Sequence, residues 1–206
     1  MKEVIILGKR REAASPLVRW PGAEFWGVSG SQQRYARKFP PLTDWTSWWD
    51  LHHVHKTEFH RGIREQRPRT YEWYKTLPGP ESPDFRPLYT LEPHPSIPAS
   101  IRFPREDVIG AFPELFDDGR FMGSCQVDLM MAYALMKGFE HIILSGHGTK
   151  MDALHAQQHK GILYWAGAAR AMGVRVTMVA PSMYSAPPKI YGLEMGSWTP
   201  PVKKRR

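Results

Sequence analysis

Residues 121–148, FMGSCQVDLMMAYALMKGFEHIILSGHG, constrain the fold more than any other stretch of the chain. Gly123-Ser124 reads as a turn into a helix, with Ser124 as the expected N-cap. Val127, Met130, Met131, Ala134 and Leu135 then recur at the three-and-four spacing of a helix face. Gly138 supplies the left-handed residue that stops a helix, and Ile142-Ile143-Leu144 is an unbroken apolar run of the kind found in strands covered on both faces. A helix, a one-residue stop and a doubly buried strand ending in Gly146 predict part of a parallel sheet. In such a sheet a helix N-terminus, with unpaired N–H groups, lies at the strands' carboxyl edge and favours an anionic ligand.

The rest of the chain extends this pattern. Residues 3–8 (EVIILG) read as a buried first strand closed by glycine. Residues 23–28 (AEFWGV) read as a second strand, entered by the Pro21-Gly22 turn, and residues 44–51 (DWTSWWDL) as a third. Residues 61–104 are dense in proline and aromatics. Within them a helix is expected over 64–77 and a short strand over 87–92 (PLYTLE), while the prolines after 78 exclude further regular helix. A short amphipathic helix is expected over 105–116, a long helix after Gly148 ending at Gly173, and a last parallel strand over 174–180 (VRVTMVA). The prediction is an α/β, Rossmann-like fold: a mostly parallel sheet with helices on both faces. It forms a single domain over 1–200, with an irregular Pro/aromatic-rich insertion at about 61–104 and a basic flexible tail at 201–206.

Charge and cysteine content narrow the function classes. Lys+Arg number 28 against 20 Asp+Glu, a net charge of +8, which favours phosphate-bearing ligands or nucleic acid. Cys125 is the single cysteine, so neither an intrachain disulfide nor a cysteine zinc cluster is available. No stretch approaches the roughly 18 apolar residues of a membrane span, and the N-terminal apolar run is too short for a signal peptide. The expected location is the cytoplasm, the host's if the protein is viral, and no membrane partner is expected.

The chemistry-bearing residues gather where strands are predicted to end. The first strand exits through Gly8 into Lys9-Arg10-Arg11 rather than into G-x-G-x-x-G, so the dinucleotide fingerprint is missing and basic side chains stand in its place. His52, His53, His55 and His60 lie near Asp50. On a continuing strand His52 and His53 would face opposite ways, and no zinc-like ligand pair follows. The cluster therefore reads as a polar strand end facing the ligand cleft, and no metal site is assigned. Basic residues interleaved with aromatics (Arg61, Arg64, Arg67, Arg69, Tyr71, Trp73, Tyr74) suit stacking on bases and holding phosphates, or, the reading favoured, a lid or an interface packing its own aromatics.

The glycine turns carry a family likeness. Gly123-Ser124, the small-residue helix, Gly138-Phe139 and the strand HIILSG resemble the core of Rossmann-type sialyltransferases. They are similar also to the 6-hydroxymethylpterin pyrophosphokinase-like group and to small phage proteins, as is the opening VIILG followed by AEFWGVSGS. The chain departs from the pattern in carrying His147 where an aspartate is usual, and GKRR where the sialyltransferases have a Gly-Pro-Ser type turn. The resemblance implies a nucleotide or nucleotide-sugar donor bound by Gly8, Lys9, Arg10, Ser29, Gly123, Ser124, Gly146, His147 and Ser182. It also implies a histidine preceding or opening the last helix, His155 or His159, as general base. Pyrophosphoryl or nucleotidyl transfer is a related possibility that would need Mg²⁺, which is not indicated, since Asp44, Asp50, Asp128 and Asp152 form no convincingly spaced pair.

Three functions fit these features. The first is a transferase using a nucleotide-activated donor, most simply a glycosyltransferase, with a modified base in phage DNA as a conceivable acceptor. The second is a non-catalytic nucleotide- or DNA-binding module. The third is an interaction protein whose tryptophans, in the exposed-looking 45–49 and 73 regions, anchor a partner. The histidines discriminate between the first two, because a binder needs no titrating group aimed into its cleft.

Overall fold

A computed structural model describes residues 1–8, 20–28, 45–52, 68–113, 125–147 and 153–179, the side chains of 153–157 excepted. The insertion's first residues and the tail at 201–206 lie outside these. Seven strands form one sheet in the order β5-β4-β3-β2-β1-β6-β7. They are β1 (Glu3–Leu7), β2 (Glu24–Val28), β3 (Trp45–Asp50), β4 (Leu88–Thr90), β5 (Ser100–Arg102), β6 (His141–Ser145) and β7 (Arg175–Met178). Every neighbouring pair is parallel. The described helices are α1 (Pro68–Lys75), α2 (Arg105–Gly110), α3 (Gln126–Met136) and α4 (Ala153–Ala171). The fold is the α/β, Rossmann-like one expected. Among the described residues no helix is long and apolar enough to cross a membrane.

Alternation along the central strands divides the core into two layers. Val4, Ile6, Ile142 and Leu144 point to one face, where Met130, Met131 and Ala134 of α3 and Ile162, Trp165 and Ala166 of α4 cover them. Ile5, Leu7 and Ile143 point to the other, against Tyr71 and Tyr74 of α1 together with Ile97 and Ala99. Helices therefore lie on both faces, and both layers must be apolar, which is why these strands read as continuous hydrophobic runs. α3 is buried nearly all round, with Ala132, Tyr133 and Asp128 inside as well as the expected stripe.

The tryptophans of β3 belong to this core, correcting the expectation that they stand exposed as partner anchors. Trp45, Trp48 and Trp49 retain 4%, 8% and 0% of their accessible surface. The register of β3 against β2 shifts between Phe25 and Trp26. That extra residue places Trp45 and Trp48 on the same face, their rings 4.2 Å apart, although three positions separate them. Thr46 repairs the break: its Oγ1 accepts from Phe25 N–H at 3.1 Å and donates to Phe25 C=O at 2.9 Å. On the other face Trp49 lies between Trp26 and Tyr89, with centroids at 5.0 and 4.2 Å. Burying such a ring is worth on the order of 5 kcal/mol of transfer free energy before the entropy of ordering it.

The stretch after α1 joins the sheet. β4 is the strand expected over 87–92, and β5, which the surrounding prolines concealed, adds an edge beyond it. Leu88 N–H donates to Ala99 C=O at 2.8 Å and Phe103 N–H to Thr90 C=O at 2.8 Å, extending the ladder at both ends.

Both long helices stop in the same way. Gly138 and Gly173 have φ of +72° and +80°. Gly138 N–H donates to Leu135 C=O and Phe139 N–H to Ala134 C=O; Gly173 and Val174 bond Arg170 and Ala169 in the same pattern. These are Schellman closures, in which the left-handed glycine turns the chain directly into the next strand.

Candidate functional site

The strand order places the candidate site. From β1 the sheet grows outward through β2 to β5, and the chain then returns to place β6 on the opposite side of β1. This reversal is a topological switch point, and in open parallel sheets the crevice outside the carboxyl ends of the strands at that point receives the ligand. The last register pair there is Leu7 with Ser145, and Gly8, Gly146 and His147 follow immediately.

These three residues are brought together closely. Gly8 N–H donates to Ser145 C=O at 2.7 Å, carrying the ladder one residue past the strands. Gly146, at φ +72°, turns the chain back in the left-handed conformation that favours glycine. His147 then folds inward, with Nε2 2.8 Å from the Ile6 carbonyl oxygen. A β-carbon on Gly8 would sit 2.2 Å from Gly146 O and 2.9 Å from His147 Nδ1, so only glycine fits there. A carbonyl oxygen can only accept, so Nε2 carries the proton and Nδ1 the lone pair. Burial, opposed only by the bond to Ile6, pushes the pKa of His147 down to about 4. The ring is therefore neutral at physiological pH and brings no positive charge to a phosphate.

A second polar group lies on the same edge at the end of β3. Asp50 is 2% exposed; its Oδ2 accepts from Tyr74 Oη at 2.7 Å, and its Oδ1 meets His52 Nδ1. The strand stops at Asp50, and His52 lies just beyond its end rather than within it, 46% exposed. His53, His55 and His60 lie outside the described residues. Among the described residues no group of three or more His, Cys, Asp or Glu could hold a metal ion. With β2 between β1 and β3, this pair lies two strand spacings from the switch point, roughly 10 Å.

Gln126 ties α3 to this edge. Its Nε2 donates to Trp49 C=O at 2.7 Å and its Oε1 accepts from Leu51 N–H at 3.1 Å, continuing the ladder with a side chain where no strand does. The cap of α3 is Cys125 rather than the expected Ser124. Asp128 Oδ2 accepts from Cys125 N–H at 3.0 Å, so the chain's own fully buried carboxylate already meets the positive end of the helix. Burial and the neighbouring Asp128 push the Cys125 thiol up to about 12, leaving it protonated and a poor nucleophile.

No protein-family model, curated protein or solved structure matches the chain. The site stands on its own geometry.

Of the residues expected to hold a nucleotide, the structure brings Gly8, Gly146 and His147 together; Lys9, Arg10, Ser29, Gly123, Ser124 and Ser182 lie outside the described residues. His155 falls in the first turn of α4, the turn reached from β6. His159 lies four residues further on, roughly 6 Å down the helix axis, and is half-buried. Tyr71 and Tyr74, for which base stacking and packing among the chain's own aromatics were the two alternatives, are 6% and 1% exposed, and Trp73 packs edge-on against Trp48. The aromatics of α1 pack into the core; they are not free to stack on nucleic acid. Sequence reasoning missed the Asp50–Tyr74 bond and the Gln126 clamp. Asp50 and the histidine after it were visible, but nothing local announces a partner 24 residues away.

Proposed function

We propose that the chain is a transferase that takes a nucleotide-activated donor, most simply a glycosyltransferase, with the donor seated at the carboxyl ends of β1 and β6. The observation carrying this reading is the switch point itself. There the backbones of β1 and β6 close on each other at Gly8 and Gly146, and a neutral, buried His147 turns its acceptor nitrogen toward Gly8. Transfer needs a bound donor, a leaving phosphate and a base for the acceptor's proton. The net charge of +8 supports a phosphate-bearing donor and an anionic acceptor such as DNA.

A thermal-shift screen with nucleotides and nucleotide sugars, with and without Mg²⁺ and short DNA, tests the reading. A ligand at about 100 times its dissociation constant adds roughly 2.7 kcal/mol of stability. One nucleotide class should stabilise the protein, and a flat response to every nucleotide would remove the reading. Stabilisation by DNA alone would replace the transferase with a DNA-binding module.

A further inference from the structure

We infer that His52 is the general base of this chain, aimed by Asp50 and Tyr74. The assignment rests on the transferase reading above but names a different residue from the histidines of α4. The carboxyl group of Asp50 is withdrawn from water at 2% exposure, and both its oxygens are occupied: Oδ2 by the Tyr74 hydroxyl at 2.7 Å, Oδ1 by His52 Nδ1. Since a carboxylate oxygen accepts, Nδ1 carries a ring proton, and in the neutral ring the lone pair falls on Nε2. The side chain is 46% exposed, so solvent reaches the ring while Nδ1 is anchored. A purely structural ion pair would need neither the buried second hydrogen bond nor an exposed ring. The strand positions the group: β3 runs parallel to β1, so Asp50 and His52 emerge on the edge that carries Gly8 and His147, roughly 10 Å away across β2. That distance suits a donor whose phosphate lies at the switch point and whose reacting carbon reaches toward β3.

The step balances as a displacement. His52 Nε2 takes the proton of the acceptor hydroxyl, whose oxygen bonds to the donor's anomeric carbon. The bond from that carbon to the phosphate oxygen breaks, its electron pair leaving with the nucleotide, and His52 returns its proton to solvent. With water as acceptor the same step is hydrolysis of the nucleotide sugar, so a test needs no knowledge of the natural acceptor.

The probes are UDP-, GDP- and CMP-linked sugars, followed by thermal shift and by released nucleotide, on the full chain and on His52→Gln, Asp50→Asn and Tyr74→Phe. His52→Gln changes an exposed side chain and should fold. It should keep the thermal shift and KM while kcat falls at least 100-fold, the range of general-base catalysis. Asp50→Asn should lower kcat similarly with KM retained. If that variant fails to fold, Tyr74→Phe, which leaves the carboxylate in place, should show a smaller loss of the same kind. Nitrogen-15 NMR provides a readout that needs no substrate: His52 should be the Nδ1–H tautomer in the wild type and lose that preference in Asp50→Asn. Nucleotide release by His52→Gln at the wild-type rate would overturn the assignment and leave the donor site standing, as would an Nε2–H tautomer in the wild type. Absence of stabilisation by any nucleotide sugar would instead remove the transferase reading, and the base with it.

Discussion

The two ends of β6 carry histidines in opposite circumstances. At the amino edge His141 is fully buried, with Nδ1 2.8 Å from Glu3 Oε1 and 2.7 Å from Arg175, Nε2 2.8 Å from Thr177 Oγ1, and the Trp20 ring against it edge-on. Both its nitrogens are taken by the chain itself. At the carboxyl edge His147 spends one nitrogen on Ile6 C=O and turns the other toward the end of β1, while His52 anchors one nitrogen on Asp50 and exposes its ring. The amino edge is closed by polar groups that answer one another. The carboxyl edge holds polar groups in orientations that packing alone does not require. Residue type does not separate the two edges; the number of partners each histidine finds does.

The contrast is broken or sharpened most strongly at Gly8. An added methyl would lie 2.2 Å from the Gly146 carbonyl oxygen, a backbone atom that cannot swing aside. Gly8→Ala should lower the free energy of unfolding by about 3 kcal/mol, the upper range for overpacking, measured by urea denaturation. A loss under about 1 kcal/mol would mean that β1 and β6 do not close on each other at the carboxyl edge, and the site built on them would fail.

Acid should separate the histidines next. His147 is depressed to about 4 by burial, whereas in the unfolded chain it titrates near its ordinary value of about 6.5. Between those values the unfolded state binds more protons. The stabilisation is therefore fully present above pH of about 6.5 and is lost as pH falls toward 4, up to about 3 kcal/mol in all. His147→Gln should remove this dependence from the urea midpoint measured at pH 7 and pH 5. An unchanged pH slope in the variant would show that His147 is not held neutral by burial.

Much of this arrangement was legible in the sequence, and what escaped did so for physical reasons. β1, β2 and β6 announced themselves because strands covered on both faces must be apolar along their length. The glycines at 8, 138, 146 and 173 were legible because left-handed or crowded backbone selects that residue. β5 was not: three residues between Pro98 and Pro104, partly exposed on a sheet edge, carry no hydrophobic run. The tryptophans of β3 were misjudged because the register shift breaks the alternation by which buried and exposed positions are told apart. The cap of α3 was placed one residue early, since cysteine is not among the usual capping residues, although Asp128 three positions on was the capping-box signal. The Asp50–His52–Tyr74 group was half visible: its first two members are local, while its third depends on α1 packing under the sheet.

The smallest effect tests the other end of β6. Gly138 has φ +72°, like Gly146, but an added β-carbon would meet nothing within 4 Å. Gly138→Ala therefore costs only the backbone strain of the left-handed region, about 1 kcal/mol, or roughly 2–4 °C in Tm for a chain of this size. Gly138→Asn should recover part of that, because asparagine tolerates this conformation. The same glycine-to-alanine change thus separates the two edges by about 2 kcal/mol: at the amino edge the glycine is needed for its φ alone, and at the carboxyl edge for the space it leaves. Equal losses at the two positions would erase that distinction and, with it, the argument that the carboxyl edge is built around close backbone approach.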